Sequence, residues 1–129
     1  MPTVAIVDDA LLIRMQMKKF FEEMMKFEVV AQGADGNDAV RVFKEKQPDL
    51  MTLDLTMPNK SGVEAIREIM KDNPKAKILV VSAIKDASMI TEALHSGAKG
   101  FVNKPLQFSS DEFVASFKED IEDALADEE

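Results

Sequence analysis

Cysteine is absent from this chain of 129 residues, and histidine occurs once, at His95. Without cysteine there can be no disulfide, no thiolate nucleophile and no zinc site built on cysteine. A single histidine cannot supply a pair of imidazole ligands, and His95 lies on a predicted helix surface, which favours a solvated or packing role over catalysis or metal binding. The chemistry of this chain therefore cannot depend on a thiol or on a histidine pair.

Long apolar runs and an excess of positive charge are also lacking. No apolar stretch approaches the length that spans a membrane, and no signal-peptide layout precedes the first strand pattern. We therefore expect a cytoplasmic protein with no membrane partner. The formal net charge of −8 argues against a general affinity for nucleic acid. It leaves room for a local acidic pocket that holds a divalent cation.

The apolar residues that are present predict one α/β domain. Hydrophobic residues make up 46% of the chain, which is enough for one ordinary core, so we expect a single domain at 1–126 and a short acidic tail at 127–129. The pattern predicts strands at 3–7, 27–31, 50–54, 77–81 and 101–102, each followed by a helix. Such alternation implies a parallel sheet covered by helices on both faces.

The helices are predicted from apolar residues at helical spacing and from capping residues. The first helix is expected to begin just after Asp8 and Asp9, either of which could cap it, and to bury Met24. The fourth helix is expected to bury Leu94, and most methionines are expected to fill the core. Predicted caps of the third, fourth and fifth helices are Ser61, Gly97 and Ser109.

Polar residues follow four of the predicted strands. They are Asp8 and Asp9 after the first strand, Asp54 at the end of the third, Ser82 after the fourth and Lys104 after the fifth. The carboxyl ends of parallel strands meet at one edge of a sheet, so we expect these side chains to converge. Adjacent carboxylates repel one another unless a cation is present, and oxygen ligands of this kind suit Mg²⁺. With the cation in place, Asp54 could attack a phosphoryl group while Lys104 and Ser82 hold its oxygens.

Five short motifs occur in a specific order and spacing, although each alone is weak. They are Val7-Asp8-Asp9, Leu53-Asp54-Leu55-Thr56-Met57-Pro58 with Gly62, Val81-Ser82-Ala83, Gly97-Ala98-Lys99 and Phe101-Val102-Asn103-Lys104-Pro105. Together they resemble a response-regulator receiver domain, and within that family a stand-alone CheY-type chemotaxis regulator. The resemblance covers nearly the whole chain. It implies a flavodoxin-like, doubly wound (βα)5 fold with a five-stranded parallel sheet in the order 2-1-3-4-5.

The resemblance also implies an acceptor site and a metal site. By similarity, Asp54 is the phosphoacceptor, which takes its phosphoryl group from a histidine kinase. Asp9 and Asp54 would bind Mg²⁺ directly together with the main-chain carbonyl of Thr56, and Asp8 would assist through water. Thr56 and Ile84 occupy family positions that control the access of water to the acyl phosphate. Their size leads us to expect slow hydrolysis.

The resemblance assigns the remaining residues to phosphoryl binding and to a switch. Ser82 and Lys104 would hold the phosphoryl oxygens, and the peptide bond before Pro105 is expected to be cis. Phosphorylation would draw Ser82 inward, and Phe101 would turn into the space left behind. Phe101 lacks the hydroxyl of the tyrosine found in some relatives, so its part in a switch would rest on ring packing alone.

The implied function is signalling by a monomer that is not an enzyme acting on an external substrate. Its output would be a changed protein contact, with the flagellar motor switch as candidate target, since no output domain is expected after Leu125. The sequence does not decide whether a phosphatase is also a partner. A phosphorelay intermediate that passes its phosphoryl group to a second histidine protein needs the same pocket, so it remains an alternative.

Two readings from other classes fit the sequence less well. A magnesium-dependent aspartyl-phosphate phosphatase of the haloacid dehalogenase type places a second acid two residues after its nucleophile, where this chain has Thr56. A nucleotide-binding module needs a glycine-rich loop after the first strand, where this chain has Asp8-Asp9-Ala10.

Overall fold

The structure, a computed structural model, describes residues 1–126, so the predicted acidic tail at 127–129 lies outside the described residues. Five parallel strands form one sheet. They are β1 (Thr3–Val7), β2 (Glu28–Gly33), β3 (Leu50–Leu53), β4 (Ile78–Ser82) and β5 (Gly100–Asn103), in the spatial order β2-β1-β3-β4-β5. The predicted doubly wound fold with order 2-1-3-4-5 is confirmed. Strand β3 ends one residue earlier than predicted, so Asp54 follows the strand.

Five helices cover the two faces of this sheet. They are α1 (Leu11–Lys19), which continues into a π-helical segment (Phe20–Met25), then α2 (Gly36–Lys46), α3 (Gly62–Asp72), α4 (Ala87–His95) and α5 (Asp111–Leu125). Among these helices, none is both long and apolar enough to cross a membrane.

The two faces of the sheet bury different kinds of side chain. Between the sheet and α1 and α5 lies an aromatic layer, in which neighbouring ring centroids are 5.0 to 6.3 Å apart. Its rings belong to Phe20, Phe21, Phe27, Phe108, Phe113 and Phe117. The opposite face, under α2, α3 and α4, is filled mainly by aliphatic side chains. Apolar side chains fill both layers, so the ends of the strands are left as the place for polar chemistry.

The end of the first helix differs from the prediction. Met24, expected in the core, is 47% exposed, whereas the consecutive residues Phe20 and Phe21 are both buried. The π-helical segment explains this result, because its wider turn changes which side chains face the sheet. Lys26 then ends the segment in the left-handed conformation, with φ of 58°.

Two predicted caps are confirmed. The hydroxyl of Ser61 accepts a hydrogen bond from the amide of Glu64, whose side chain accepts one from the amide of Ser61, so a capping box starts α3. Gly97 follows α4 with a positive φ of 125°. The predicted cap at Ser109 is wrong by one residue, since the hydroxyl of Ser110 accepts the bond from Phe113.

Other local predictions were also wrong. Neither Asp8 nor Asp9 is the cap residue of α1, a position that Ala10 occupies while its amide donates to Asp8 Oδ1 at 2.9 Å. Leu94 is exposed because Ala93 takes the inward position on α4. The prediction for the methionines is confirmed for most of them, since Met17 and Met51 are fully buried and three others, Met25, Met57 and Met70, pack against the core, whereas Met1, Met15 and Met24 are exposed.

Candidate functional site

The carboxyl ends of β1, β3 and β4 carry three buried polar residues. Asp8, Asp54 and Ser82 are 1%, 6% and 1% exposed, while Asp9 beside them is open to solvent. Burying a carboxylate is costly unless a cation or hydrogen-bond donors compensate its charge. This rim therefore depends on the partners that other strands bring to it.

Lys104 is the cation that the fold places between two of these carboxylates. Its Nζ lies 2.6 Å from Asp8 Oδ2 and 3.0 Å from Asp54 Oδ2. Its amide donates to the carbonyl of Ser82 at 3.0 Å, so the pairing of β5 with β4 delivers it to the rim. Burial by itself would lower the pKa of Lys104, but the hydrogen bonds to Asp8 and Asp54 outweigh burial and raise that pKa. The ammonium group therefore stays charged at neutral pH.

Three carboxylates at the rim are close enough to share a cation. Asp8, Asp9 and Asp54 each offer an oxygen, and these oxygens lie within 4.8 Å of one another. Mg²⁺ prefers hard oxygen ligands and is commonly held by one or two carboxylates with water, so this donor set fits the predicted ion. The amide of Thr56 donates to Asp54 Oδ1 at 3.2 Å, which places the loop after β3 against the same carboxylate.

The two predicted switch residues lie on neighbouring strands. Ser82 ends β4, and its Oγ accepts a hydrogen bond from the amide of Ile84 at 3.3 Å. Phe101 in β5 pairs with Val80, is half-buried and packs at the margin of the aliphatic layer, as does Ile84. The Lys104-Pro105 peptide bond is cis, as expected.

Sequence reasoning missed two contacts beside the rim. Arg14, in the first turns of α1, donates from Nη1 to the main-chain carbonyl of Asp8 at 2.6 Å and so holds the acidic turn. Asn59, in the loop after β3, donates from Nδ2 to Asp35 Oδ2 at 2.6 Å. Arg14 lies only six residues after Asp8, so the sequence weakly indicated a contact between them. Nothing in the local pattern links Asn59 with Asp35.

A model of the response regulator receiver domain matches residues 4–117 of this chain. The chain belongs to that family. Because the match includes β2 to β5 entirely and all of β1 except Thr3, the predicted resemblance to a receiver is confirmed.

Relatives of this receiver include chemotaxis proteins. The chemotaxis protein CheY of Thermotoga maritima is 45% identical over 104 residues, which are 81% of this chain and 86% of the relative. A solved complex of CheX, CheY, BeF₃ and Mg²⁺ from Borrelia burgdorferi contains a chain with TM-score 0.87 and 28% identity, covering 97% of the receiver and 90% of that chain. The response regulator domain of Thermotoga maritima CheB has TM-score 0.85 and 34% identity, with 98% of both chains covered. The receiver is thus CheY-like.

Proposed function

We propose that this receiver accepts a phosphoryl group on Asp54 from a histidine kinase and signals by a changed protein contact in chemotaxis. The observation that carries the proposal is the lysine bridge, in which Lys104 contacts both Asp8 and Asp54 at a buried rim. A lone buried carboxylate would be a poor site for a trianionic group. Here a fixed cation is already within hydrogen-bond distance of the proposed acceptor.

The metal would be held by the carboxylates of Asp9 and Asp54 and the main-chain carbonyl of Thr56, with Asp8 acting through water. The structure brings the three acids together, which supports this assignment. When bound, Mg²⁺ would neutralise negative charge on the carboxylates and on the incoming phosphoryl oxygens.

The transfer step needs an oriented nucleophile and positive charge around the phosphoryl group. A carboxylate oxygen of Asp54 would form the new O–P bond while the P–N bond of the phosphohistidine breaks and its electron pair goes to the imidazole nitrogen. The Nζ of Lys104 would donate to one phosphoryl oxygen. The hydroxyl of Ser82, whose oxygen already accepts from Ile84, keeps its hydrogen to donate to another.

The output would be a change in the surface formed by α4, β5 and α5. Ser82 would move toward the phosphoryl group, and Phe101 would turn inward at the margin of the aliphatic layer. Such a switch is a two-state element that a few new contacts can bias. The half-buried position of Phe101 supports this role, because a ring with one free side can change its packing.

The receiver would act as a monomer in the cytoplasm. Its proposed partners are a histidine kinase and a downstream target such as the flagellar motor switch. The Borrelia relative is complexed with CheX, so a partner of that kind is included in the proposal. The receiver would turn over no external substrate. It would take part only in its own phosphorylation, which regenerates the donor histidine, and in its own slow dephosphorylation, which releases phosphate.

Mass spectrometry of the intact protein tests the acceptor chemistry. Wild type incubated with Mg²⁺ and acetyl phosphate is expected to gain a single labile phosphoryl group. The gain should disappear when Mg²⁺ is chelated and in Asp54→Asn. A folded wild type that binds Mg²⁺ but forms no adduct with acetyl phosphate or phosphoramidate would contradict the proposal.

A further inference from the structure

The loop that follows β3 is attached to the start of α2, a helix that holds none of the proposed site residues. We call residues 54–61 the acceptor loop, because Asp54 begins it. Near its far end, Asn59 Nδ2 donates to Asp35 Oδ2 at 2.6 Å. One residue later, the carbonyl of Lys60 accepts a hydrogen bond from the amide of Gly36 at 3.1 Å. Two successive residues of the loop are thus bonded to two successive residues of α2 and its cap.

Asp35 is well placed to serve as an anchor. It is the cap residue of α2, and its Oδ1 accepts from the amide of Asp38 at 2.8 Å while Oδ2 holds Asn59. One carboxylate therefore ties the loop to a rigid helix end. Asn59 has a φ of 69°, a left-handed conformation that asparagine tolerates better than most residues.

Gly36 is required by the same contact. A Cβ atom at this position would lie 2.2 Å from the carbonyl oxygen of Lys60, a distance that no real contact allows. Glycine is disfavoured inside helices, since it has more backbone entropy to lose than alanine. Its presence at the first position of α2, where it is buried, keeps the helix close to the loop.

We propose that Asp35, Gly36 and Asn59 form a clamp that positions the acceptor loop and thereby sets the affinity of the rim for Mg²⁺. The inference rests on the proposed function, because the clamp acts on the loop that carries Asp54 and Thr56. The other end of the loop is fixed by the amide of Asp54, which donates to the carbonyl of Val7 at 3.1 Å. With both ends held, the oxygen ligands need less ordering when the ion binds. The clamp residues are positioning residues and touch no reacting atom.

Two substitutions break the clamp in different ways. Asn59→Gly keeps the left-handed backbone accessible but removes the exposed side-chain bond and gives the loop more backbone freedom, so we expect Mg²⁺ affinity to fall several-fold. Gly36→Ala forces the loop away from α2, and we expect affinity to fall about tenfold, as for other residues that support metal ligands. The clash with Lys60 should lower stability in either case, so a merely structural role of Gly36 would predict lower stability with unchanged Mg²⁺ affinity.

Gln47→Gly is the matched control. Gln47 also has a left-handed backbone, with φ of 45°, and its side-chain amide donates to the carbonyl of Phe43 at 3.1 Å. It lies at the opposite end of α2, beside the start of β3. The substitution also removes a hydrogen bond donated by a side-chain amide and adds the same backbone freedom, but far from the rim, so Mg²⁺ affinity should equal that of wild type.

Isothermal titration with Mg²⁺ alone measures the affinity of all four proteins, and urea unfolding confirms that each is folded. The clamp predicts weaker binding in Asn59→Gly and Gly36→Ala and wild-type binding in Gln47→Gly. Wild-type affinity in both clamp variants would overturn the inference, even if either were less stable. Failure of the proposed function has a different result: clamp variants would bind Mg²⁺ more weakly, yet wild type would form no phosphoryl adduct. Absence of Mg²⁺ binding by wild type would overturn the clamp, whatever the adduct experiment gives.

Discussion

The two edges of the sheet differ in where their polar groups lie. At the carboxyl edge, Asp8 and Asp54 are buried and share the ammonium group of Lys104. At the amino edge, the side-chain bonds between Thr3 and Asp49 are exposed to solvent. A groove of about 710 Å³ also lies at the amino edge, lined by residues that include Pro2, Phe43, Pro48 and Pro74. The groove and the buried charges therefore lie at opposite ends of the strands.

The volume of a groove is therefore a poor guide to where this chain concentrates its buried charges. Buried carboxylates cost stability unless a cation or hydrogen bonds compensate their charge. Their presence at the carboxyl edge therefore makes this edge a candidate functional site. Polar groups at the amino edge join strand ends and remain hydrated. Substitutions at the carboxyl edge should therefore change phosphoryl chemistry, and those at the amino edge should change stability alone.

The largest effect is expected for Lys104→Met. It removes the cation that faces the proposed acceptor, and we expect phosphorylation by acetyl phosphate to slow about 100-fold. Without Mg²⁺, two buried carboxylates would face each other unpaired, so stability should fall by about 2 kcal/mol. Adduct formation measured by mass spectrometry and urea unfolding check the two effects.

Lys75→Met is the matched control for this variant, because Lys75 is an exposed lysine at the amino edge. It should leave both the rate and the stability near wild type. Equal phosphorylation rates in Lys104→Met and Lys75→Met would remove Lys104 from the mechanism.

A smaller effect on the same edge is expected for Ile84→Ser. Ile84 is half-buried, and its amide donates to Ser82 Oγ. By similarity to receivers, its side chain would control the access of water to the acyl phosphate. A small polar residue should admit water and shorten the lifetime of the adduct about fivefold, or about 1 kcal/mol of barrier. Decay of the adduct after removal of the donor gives the lifetime, with Ile90→Ser on α4 as control. A wild-type lifetime in Ile84→Ser would show that this residue does not shield the acyl phosphate.

Asp49→Ala tests the amino edge. Asp49 Oδ2 accepts from the amide of Thr3 at 2.8 Å and from its hydroxyl at 3.2 Å, which joins the start of β1 to the start of β3. Loss of these bonds should cost about 1 kcal/mol in urea unfolding. Phosphorylation should keep the wild-type rate, and a slower rate would mean that the two edges are not independent.

The smallest effect is the pH dependence that Asp38 contributes near the start of α2. The amide of Ala34 donates to its carboxylate and Arg41 pairs with it, and both lower the pKa of Asp38. A lowered pKa stabilises the fold above the unfolded value of about 3.9, and this contribution is lost as pH falls through the folded value. Asp38→Asn should cost well under about 1 kcal/mol at pH 7 after screening by solvent. Unfolding measured at pH 7 and near pH 3 should show the gap between the two proteins closing in acid, and a constant gap would contradict it.

The rim was predictable because its residues follow strands, and parallel strands end together. Asp8, Asp54, Ser82 and Lys104 needed only the alternation of strands and helices to be placed at one edge. The strand order came from the resemblance to receivers, since alternation alone allows several orders. Ser61 was predictable as a cap because its partner Glu64 lies within the same turn.

Features that depend on helix type or on distant partners could not be predicted. The spacing of Met17, Phe21 and Met24 fits an α-helix, and only the π-helical segment turns Met24 outward. The bond from Asn59 to Asp35 spans 24 residues and depends on the left-handed backbone of Asn59. Neither feature leaves a periodic trace in the sequence.

The most direct test of the central claim is to locate the phosphoryl group among the three rim carboxylates. Wild type phosphorylated with acetyl phosphate and Mg²⁺ is treated with sodium borohydride, whose hydride reduces an acyl phosphate to an alcohol and releases phosphate. Tandem mass spectrometry of the peptides then finds the reduced side chain. We expect it at position 54 alone, because the resemblance to receivers assigns the acceptor to Asp54, whereas Lys104 contacts both Asp8 and Asp54. Reduction at position 8 or 9, or at exposed acids instead, would contradict the account.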